Sequence, residues 1–600
     1  MRTESTPAPR NRLFASALAE TGLPTPVADA LERVLLLDRL DDIYSRVVAR
    51  TDDKPAFDKL LDILNIKVAI TPDDLDHIPK TGPVVLVANH PFGFIEGAIV
   101  AAVLPRVRSD VKIMANTMLS NFGVLADFFL YVNPFGGENA ARENRKGLRQ
   151  AVAHLRNGGM LVVFPAGEVA HLDLRERGVV DPPWNPGVAG LARISGATVI
   201  PSFFAGANSA LFQLLGFLHP RVRTAMLPHE FLNKQCSTIE FRIGSPIAPA
   251  RLGRFTSDRD SIAWIRSRTY LLKHRNHHVP TLRVNLPFLN QPQEPVEPSV
   301  APAQLAAEIS RLQPERRLTA LGELSVYYAS SHEIPQVLRE IGRLREITFR
   351  RAGEGTGKPL DIDPFDAHYI HLFIWNPESR EIIGAYRVGE SDRIRSRFGI
   401  SGLYTSTLFR YDERFLDKLG TGLELGRSFV CLEHQKSYTP LMLLWRGISI
   451  YVCRYPRYSK LFGPVSISND YTPISRQLMV SYFTQHDTPS AFSGLVQARN
   501  PLRRNPLSRQ GNCSVWDIED LSAAIADIEI DGKGLPVLLR QYLKLGGRLV
   551  GFNVDKQFSN ALDGLIVVDL HRTDRKVLER YMGKTEAAEF LTAVGSGATG

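Results

Sequence analysis

The chain alternates between two kinds of stretch. Short, evenly apolar runs are separated by longer stretches whose apolar residues recur every three or four positions. In the first half the runs are VVLVAN (84–89), VKIMAN (111–116), MLVVFPAG (160–167), ATVIPSFFAG (197–206) and STIEFRIGSPI (237–247). Such runs, bounded by turn residues, read as strands buried on both faces. ALERVLLLDRLDDIYSRV (30–47), GAIVAAVL (97–104) and KGLRQAVAHLRNGG (146–159) carry helical periodicity, and the last is closed by glycine. Strand and helix in alternation predict an α/β layer architecture.

The pattern breaks at NQPQEPVEPSVAPAQ (290–304). Rich in Pro, Gln and Glu, this run cannot bury a core and reads as a stiff, extended linker. Beyond it SVYYAS (325–330), HYIHLFIW (368–375), EIIGAYRV (381–388) and LELGRSFVCL (423–432) read as strands, and PLMLLWRGISIYVCRY (440–455) as a helix. The stretch GFNVDKQFSNALDGLIVVDL (551–570) reads as the closing strand segment of the same half. Six hundred residues exceed one ordinary core. The expected organisation is a helical segment over 1–54, an α/β domain over 55–289, the linker, and a second α/β domain over 305–600 with a C-terminal extension.

Charge narrows the partners without choosing one. There are 72 Lys+Arg against 63 Asp+Glu, a net charge of +9. That excess suits an anionic membrane surface, an acidic carrier protein or nucleic acid. No arginine–aromatic ladder or zinc-finger spacing favours nucleic acid. Cys236, Cys431, Cys453 and Cys513 are scattered singly, against a structural zinc site or a disulfide framework and for a reducing compartment. MRTESTPAPRNRLF lacks the apolar core of a signal peptide. No segment approaches the ~18 uninterrupted apolar residues of a spanning helix, so any membrane contact is expected to be peripheral.

The candidate chemistry starts where the first apolar run stops. VVLVANHPFGFIEG places Asn89 and His90 at the end of a buried strand, with Glu96 just beyond Gly93. A histidine has its pKa near operating pH, so it can serve as a general base. A carboxylate on its other nitrogen would select the tautomer and stabilise the imidazolium. Three further motifs follow in order: NPFGGENAARENRKG with Arg142 and Arg145, FPAGE from Phe164 through Pro165 and Gly167 to Glu168, and VIPSFFAG. Together these motifs resemble the PlsC-type glycerolipid acyltransferases over roughly residues 55–286.

The resemblance implies His90 as the general base, Glu96 as its partner, and a substrate-binding role for Asn89, Arg142, Arg145, Phe164, Pro165, Gly167 and Glu168. Two departures stand out. The family has an aspartate one position earlier than Glu96, so the loop must absorb an extra residue, which Gly93 permits. Its Phe-Pro-Glu-Gly is here Phe-Pro-Ala-Gly-Glu. Because the family's loop handles the acceptor's phosphate, the change implies a different acceptor, with the arginines free to hold a carboxylate.

In the second half, RLREITFRRAGEGTG carries Arg345, DIDPFDAHYIHLFIW carries Asp363 and Asp366, EIIGAYRV carries Arg387, and LELGRSFV carries Glu424 and Arg427. The acidic cluster could hold an amino group, and the arginines could face an acidic carrier or a substrate carboxylate. Equally, the acidic turn could cap a helix, and Glu424 could pair with Arg427. Over about 324–484 this set resembles the GNAT-type N-acyltransferases that make lyso-ornithine lipid, labelled haemolysin-like, with the ordered features of acyl-homoserine-lactone synthases. The resemblance implies a splayed central strand along which the thioester arm lies, and makes Glu424 the candidate to take up the amine's proton or orient the amine. Arg345, Asp363, Asp366, Arg387 and Arg427 become substrate-binding candidates.

Two acyl-transfer modules on one chain imply a bifunctional ornithine-lipid synthase. The C-terminal half would N-acylate ornithine with a 3-hydroxyacyl group from acyl carrier protein, and the N-terminal half would O-acylate the 3-hydroxyl. The thioester, on acyl carrier protein or coenzyme A, is the donor. No bound cofactor or metal is expected. The partners would be the carrier protein, a small amino acid and the cytoplasmic face of the inner membrane. The competing expectation is a lysophospholipid acyltransferase whose C-terminal half only binds carrier protein.

Overall fold

The run Val84–Ala88 lies at the centre of a seven-stranded sheet, and every residue in it is fully buried. A computed structural model describes residues 36–116, 128–132, 140–176, 178–218, 220–275, 293–486, 490–492, 494–503 and 517–592. These fall into two units, with residues up to 275 in the first and those from 293 in the second.

The strands of the first sheet are β1 (Lys67–Ala69), β2 (Val84–Ala88), β3 (Val111–Asn116), β4 (Phe129–Val132), β5 (Met160–Val163), β6 (Thr198–Phe204) and β7 (Thr238–Ile243). Their order is β1-β7-β6-β2-β5-β3-β4, parallel throughout except for β6 against β7. Helices α1 (Leu37–Ala49), α2 (Ala56–Ile63), α3 (Phe94–Val103), α4 (Ala140–Arg156) and α5 (Ala210–Leu218) belong to this unit. A parallel sheet needs crossovers, usually helices that cover its faces, which is why its strands read as unbroken apolar runs. The predicted helix over 30–47 is seen from Leu37 onward, burying Leu40, Ile43 and Val47 on one face. Its earlier part lies outside the described residues.

Register prepares the site. Val87 of β2 lies opposite Val163 of β5 and Pro201 of β6. The carboxyl ends of β2 and β5 are therefore nearly level, β6 runs on to Phe204, and the loops that leave the three strands share one edge. That edge is where open α/β sheets bind ligands.

The second sheet has eight strands: β8 (Arg317–Leu321), β9 (Leu324–Ser330), β10 (Ile370–Asn376), β11 (Glu381–Glu390), β12 (Gly422–Val430), β13 (Lys460–Ile467), β14 (Arg548–Asp555) and β15 (Ala561–Asp569). The order is β8-β9-β10-β11-β12-β13-β15-β14. Helices α6 (Pro335–Arg351), α7 (Thr439–Arg454) and α8 (Pro473–His486) complete the elements used below. Strands and helices mix as expected, but the sheet is largely antiparallel. Its parallel pair is β12 with β13, and α7 is the crossover between them. These two strands pair from Gly422–Lys460 to Glu424–Phe462. Beyond that, β12 continues beside β11 and β13 beside β15, so the strands part. The stretch 551–570 closes the sheet as the β14–β15 hairpin.

The Pro-rich run is extended over its described part, but it does not stand free. Glu294 N–H donates to the Gly357 carbonyl, Glu297 pairs with Arg339 at 2.7 Å, and Val300 N–H donates to Glu340. From Pro302 the chain is helical.

Candidate active sites

His90 stands two residues beyond the end of β2. Its Nδ1 lies 3.3 Å from Oε1 of Glu96. Glu96, fully buried in the first turn of α3, accepts on that same oxygen from the N–H groups of Phe92 (2.6 Å) and Gly93 (3.1 Å). The longer loop is accommodated at Gly93, whose φ of 111° and ψ of −106° lie where an L side chain is strained. Glu96 thus reaches back over the extra residue and meets the imidazole.

Burial is the largest single influence on His90 and favours the neutral ring. The Glu96 carboxylate beside Nδ1, with the charge of Asp181, outweighs it and raises the pKa above the ordinary value. Asp181 was not evident from sequence. One of its oxygens accepts the His90 backbone N–H at 3.1 Å, the other accepts the Trp184 indole N–H at 2.9 Å, and its own N–H donates to Tyr270 Oη. Burial raises the Asp181 carboxyl. Nothing in VVDPPWNP marks this residue as a neighbour of a histidine 91 positions earlier.

Phe164 follows β5 as Asn89 follows β2, and its ring packs on the imidazole with centroids 4.6 Å apart. His90, Phe164, Pro165, Gly167 and Glu168 all line one cavity of about 1140 Å³. The cavity is walled by apolar side chains, among them Leu40 and Ile43 of α1, Leu60 of α2, Ile113 of β3 and Phe129 of β4. That volume lies at the upper end for small-molecule sites and suits a long hydrocarbon chain better than a compact head group.

Three expected substrate contacts are placed differently. Asn89 is buried and spent on Phe204 of β6: its Nδ2 donates to the Phe204 carbonyl at 2.9 Å and its Oδ1 accepts the Phe204 N–H at 2.7 Å. It ties two strand ends together and does not face the cavity. Arg145 is exposed on α4 and is not in the cavity wall. Arg142 lies in the first turn of α4, and its side chain is outside the described residues. Arg223 is in the wall, its side chain only 10% exposed and paired with Glu168 at 3.4 Å, and Lys59 is there too, 3.5 Å from Asp52.

In the second unit the polar residues of four separate motifs converge. Asp363 caps the short helix Pro364–Ala367, and its Oδ1 accepts from Arg387 at 2.6 Å, while its Oδ2 lies 3.3 Å from Arg427. Asp366 accepts from Arg345 at 2.8 Å and lies 3.3 Å from Arg387. The acidic turn therefore caps and pairs at once. Burial raises the Asp366 carboxyl, but the Arg345 and Arg387 charges overcome it and hold the group well below the usual carboxylate range. The Arg387 guanidinium lies over the rings of Phe365, Tyr369 and Tyr404. Arg427, at a φ of 48°, sits where β11 and β12 shift register; it bonds Tyr404 Oη at 3.0 Å and stacks on Phe558. The extra residue of such a bulge re-aims a side chain, here toward Asp361 at 3.2 Å.

Two expectations are corrected here. Arg345 is fully buried in its pair with Asp366, so it is not on a surface that a carrier protein could meet. Glu424 is also buried. Its carboxylate accepts from the N–H groups of Thr405 (2.6 Å) and Tyr404 (3.2 Å) and from the Tyr369 hydroxyl. It does not pair with Arg427, and its oxygens are committed to positioning the two tyrosines on which Arg387 rests.

Comparison with known proteins agrees with this division. A family described as "Acyltransferase" matches residues 63–278, and "Acetyltransferase (GNAT) domain" matches 344–445. A glycine N(alpha)-acyltransferase of Bacteroides thetaiotaomicron is 31% identical over 44% of this chain and 82% of its own. One of Phocaeicola vulgatus is 30% identical over 50% of this chain and 96% of its own. A lyso-glycine lipid O-acyltransferase of Bacteroides thetaiotaomicron is 25% identical over 38% of this chain and 82% of its own. With a histidine–carboxylate pair over an apolar cavity in one unit and a parted parallel strand pair in the other, the chain belongs to the acyltransferases and carries an acyltransferase domain followed by a C-terminal GNAT domain.

Proposed function

We propose that the chain is a bifunctional amino-acid-lipid synthase, with ornithine as the head group and acyl carrier protein as the thioester donor. The observation that carries this reading is the His90–Glu96 pair at the wall of a 1140 Å³ apolar cavity, on a chain that also has a GNAT unit. The second unit would act first. The α-amine of the amino acid attacks the carbonyl carbon of a 3-hydroxyacyl thioester, the carbon–sulfur bond breaks, and the amine's proton leaves through solvent. A backbone N–H where β12 and β13 part is suited to the oxyanion.

The first unit would then esterify the 3-hydroxyl. With Nδ1–H directed at Glu96, Nε2 takes the hydroxyl proton as the oxygen attacks a second thioester. The departing thiolate recovers that proton. Arg223, paired with Glu168 in this structure, would turn to the acceptor's carboxylate, in keeping with an acceptor that carries no phosphate. The relatives named for glycine N-acylation and lyso-glycine lipid O-acylation support both half-reactions.

A lipid product suggests a peripheral site on the cytoplasmic face of the inner membrane. Among the described residues no helix is long and apolar enough to cross a membrane. The test is purified full chain supplied with ornithine, 3-hydroxyacyl carrier protein and a second acyl carrier protein thioester. Mono-acylated and then di-acylated ornithine are expected, and His90→Ala should stop at the mono-acyl stage. Absence of any N-acyl product would return the chain to a lysophospholipid acyltransferase.

A further inference from the structure

Register extends the polar site of the second unit across its sheet. Gly389 of β11 lies opposite Glu424, and Glu424 opposite Phe462. Further along β13, Ser466 lies opposite Asp563 of β15, which lies opposite Asn553 of β14. Side chains alternate faces along a strand. Arg387, Glu424, Ser466, Asp563, Asn553 and Asp555 therefore share one face. Glu354, just after α6, joins it by accepting from Ser466 Oγ at 2.8 Å.

The carboxylates there are poorly matched by cations. Asp563 is 7% exposed, and its side chain makes no hydrogen bond or ion pair to a described residue. Asn553 is 1% exposed. Its Oδ1 accepts from the Asn500 N–H at 2.7 Å, and its Nδ2, on the Asp563 side of the sheet, has no partner. Arg476 gives its two terminal nitrogens to Asn469 and the Asn560 carbonyl, and Arg427 is engaged by Asp361 and Asp363, so both act on Asp563 through charge alone. Burial, then the charges of Asp555 and Glu354, push Asp563 well above its ordinary pKa. Burial likewise raises Glu354. A buried carboxyl group without a partner is costly. A ligand cation removes that cost, and a ligand carbonyl or hydroxyl can meet the idle amide.

We propose that Glu354, Asp555 and Asp563 form a subsite for the side-chain ammonium of the amino acid acylated by this unit. The substrates would then be amino acids carrying a second amine. This rests on the N-acyl-transfer reading above. Electrostatically Asp563 and Asp555 act on Tyr404, and Asp563 on Arg427. A diamino acid could thus span from the arginine-rich end of the face to the acidic end. Glycine, with no side chain, would leave the acidic end empty.

The test compares L-ornithine with L-norvaline, which has the same carbon skeleton without the terminal amine. Purified full chain and 3-hydroxyacyl carrier protein supply the rest of the assay. The intact protein should favour ornithine in kcat/KM by at least about tenfold. Asp563→Asn should bring that ratio close to one, chiefly by raising the KM for ornithine. Glu354→Gln, at a half-buried position, tests the same ratio if Asp563→Asn does not fold. Equal use of ornithine and norvaline by the intact protein, or full discrimination kept in the variants, overturns the subsite and leaves N-acyl transfer standing. Acylation of neither, nor of glycine, overturns both readings.

Discussion

His90 Nδ1 lies 3.3 Å from a Glu96 oxygen that two backbone N–H groups also hold. The acid therefore has two tasks, closing the turn into α3 and orienting the ring. Substitutions separate them. His90→Ala should lower O-acyl transfer by about 10²–10⁴-fold, the usual worth of a positioned base, with N-acyl transfer unchanged. Glu96→Gln keeps an acceptor for Phe92 and Gly93 and should lower the rate while preserving the fold. Glu96→Ala leaves both donors buried and unmet, at about 1–3 kcal/mol each. Product analysis and a denaturant titration on the same preparations check the pair.

The pH dependence has a defined sign. The working base is the neutral imidazole, and its pKa is raised in the folded protein. O-acyl transfer should rise with pH through an inflection above the ordinary histidine value of ~6.5. Glu96→Gln removes the charge chiefly responsible and should move the inflection to lower pH. By linkage, the protonated ring stabilises the fold fully below the unfolded-state value, and that contribution is lost as pH rises through the folded one. A pH–rate profile in which the inflection does not move would remove Glu96 from the mechanism.

Arg223 should act on binding. Arg223→Leu is expected to raise the KM for a lyso-amino-acid lipid with kcat little changed, the pattern of an interaction equal in ground and transition states. Arg145→Leu, on the exposed face of α4, should leave both constants alone.

The buried pair Arg345–Asp366 is a matter of folding. Arg345→Met leaves the buried Asp366 carboxylate with Arg387 as its one arginine and should cost less than the ~3–5 kcal/mol of a fully unpaired buried charge, read as a lower unfolding midpoint. Because the Asp366 pKa is depressed in the folded state, its contribution is present above the unfolded value of ~3.9. It is lost as pH falls through the folded one. Unfolding midpoints measured on descending pH should narrow the gap between the two proteins.

How much was legible depends on distance along the chain. His90 and Glu96 fall in one turn, so motif and spacing identify them and Gly93 together. Phe164 and Gly167 lie after a strand whose burial is written in MLVV. Asp181 and Arg223 carry no such mark, since they meet His90 and Glu168 across 91 and 55 residues. In the second half Arg345, Asp363, Asp366, Arg387 and Arg427 were recognisable as a set, but their roles were not. Whether an arginine meets a substrate or a buried aspartate depends on which faces of helix and sheet are pressed together.

By itself the sequence determined many of the strands and the closeness of one histidine to its acid, because apolar periodicity and short-range turn chemistry are local. The tertiary structure alone decided that Asn89 and Glu424 serve as clamps and that Arg223 replaces Arg145 at the cavity. It also decided that Asp563 shares a face with Glu424. Those outcomes follow from strand register and burial, which long-range packing sets and no short stretch of chain encodes.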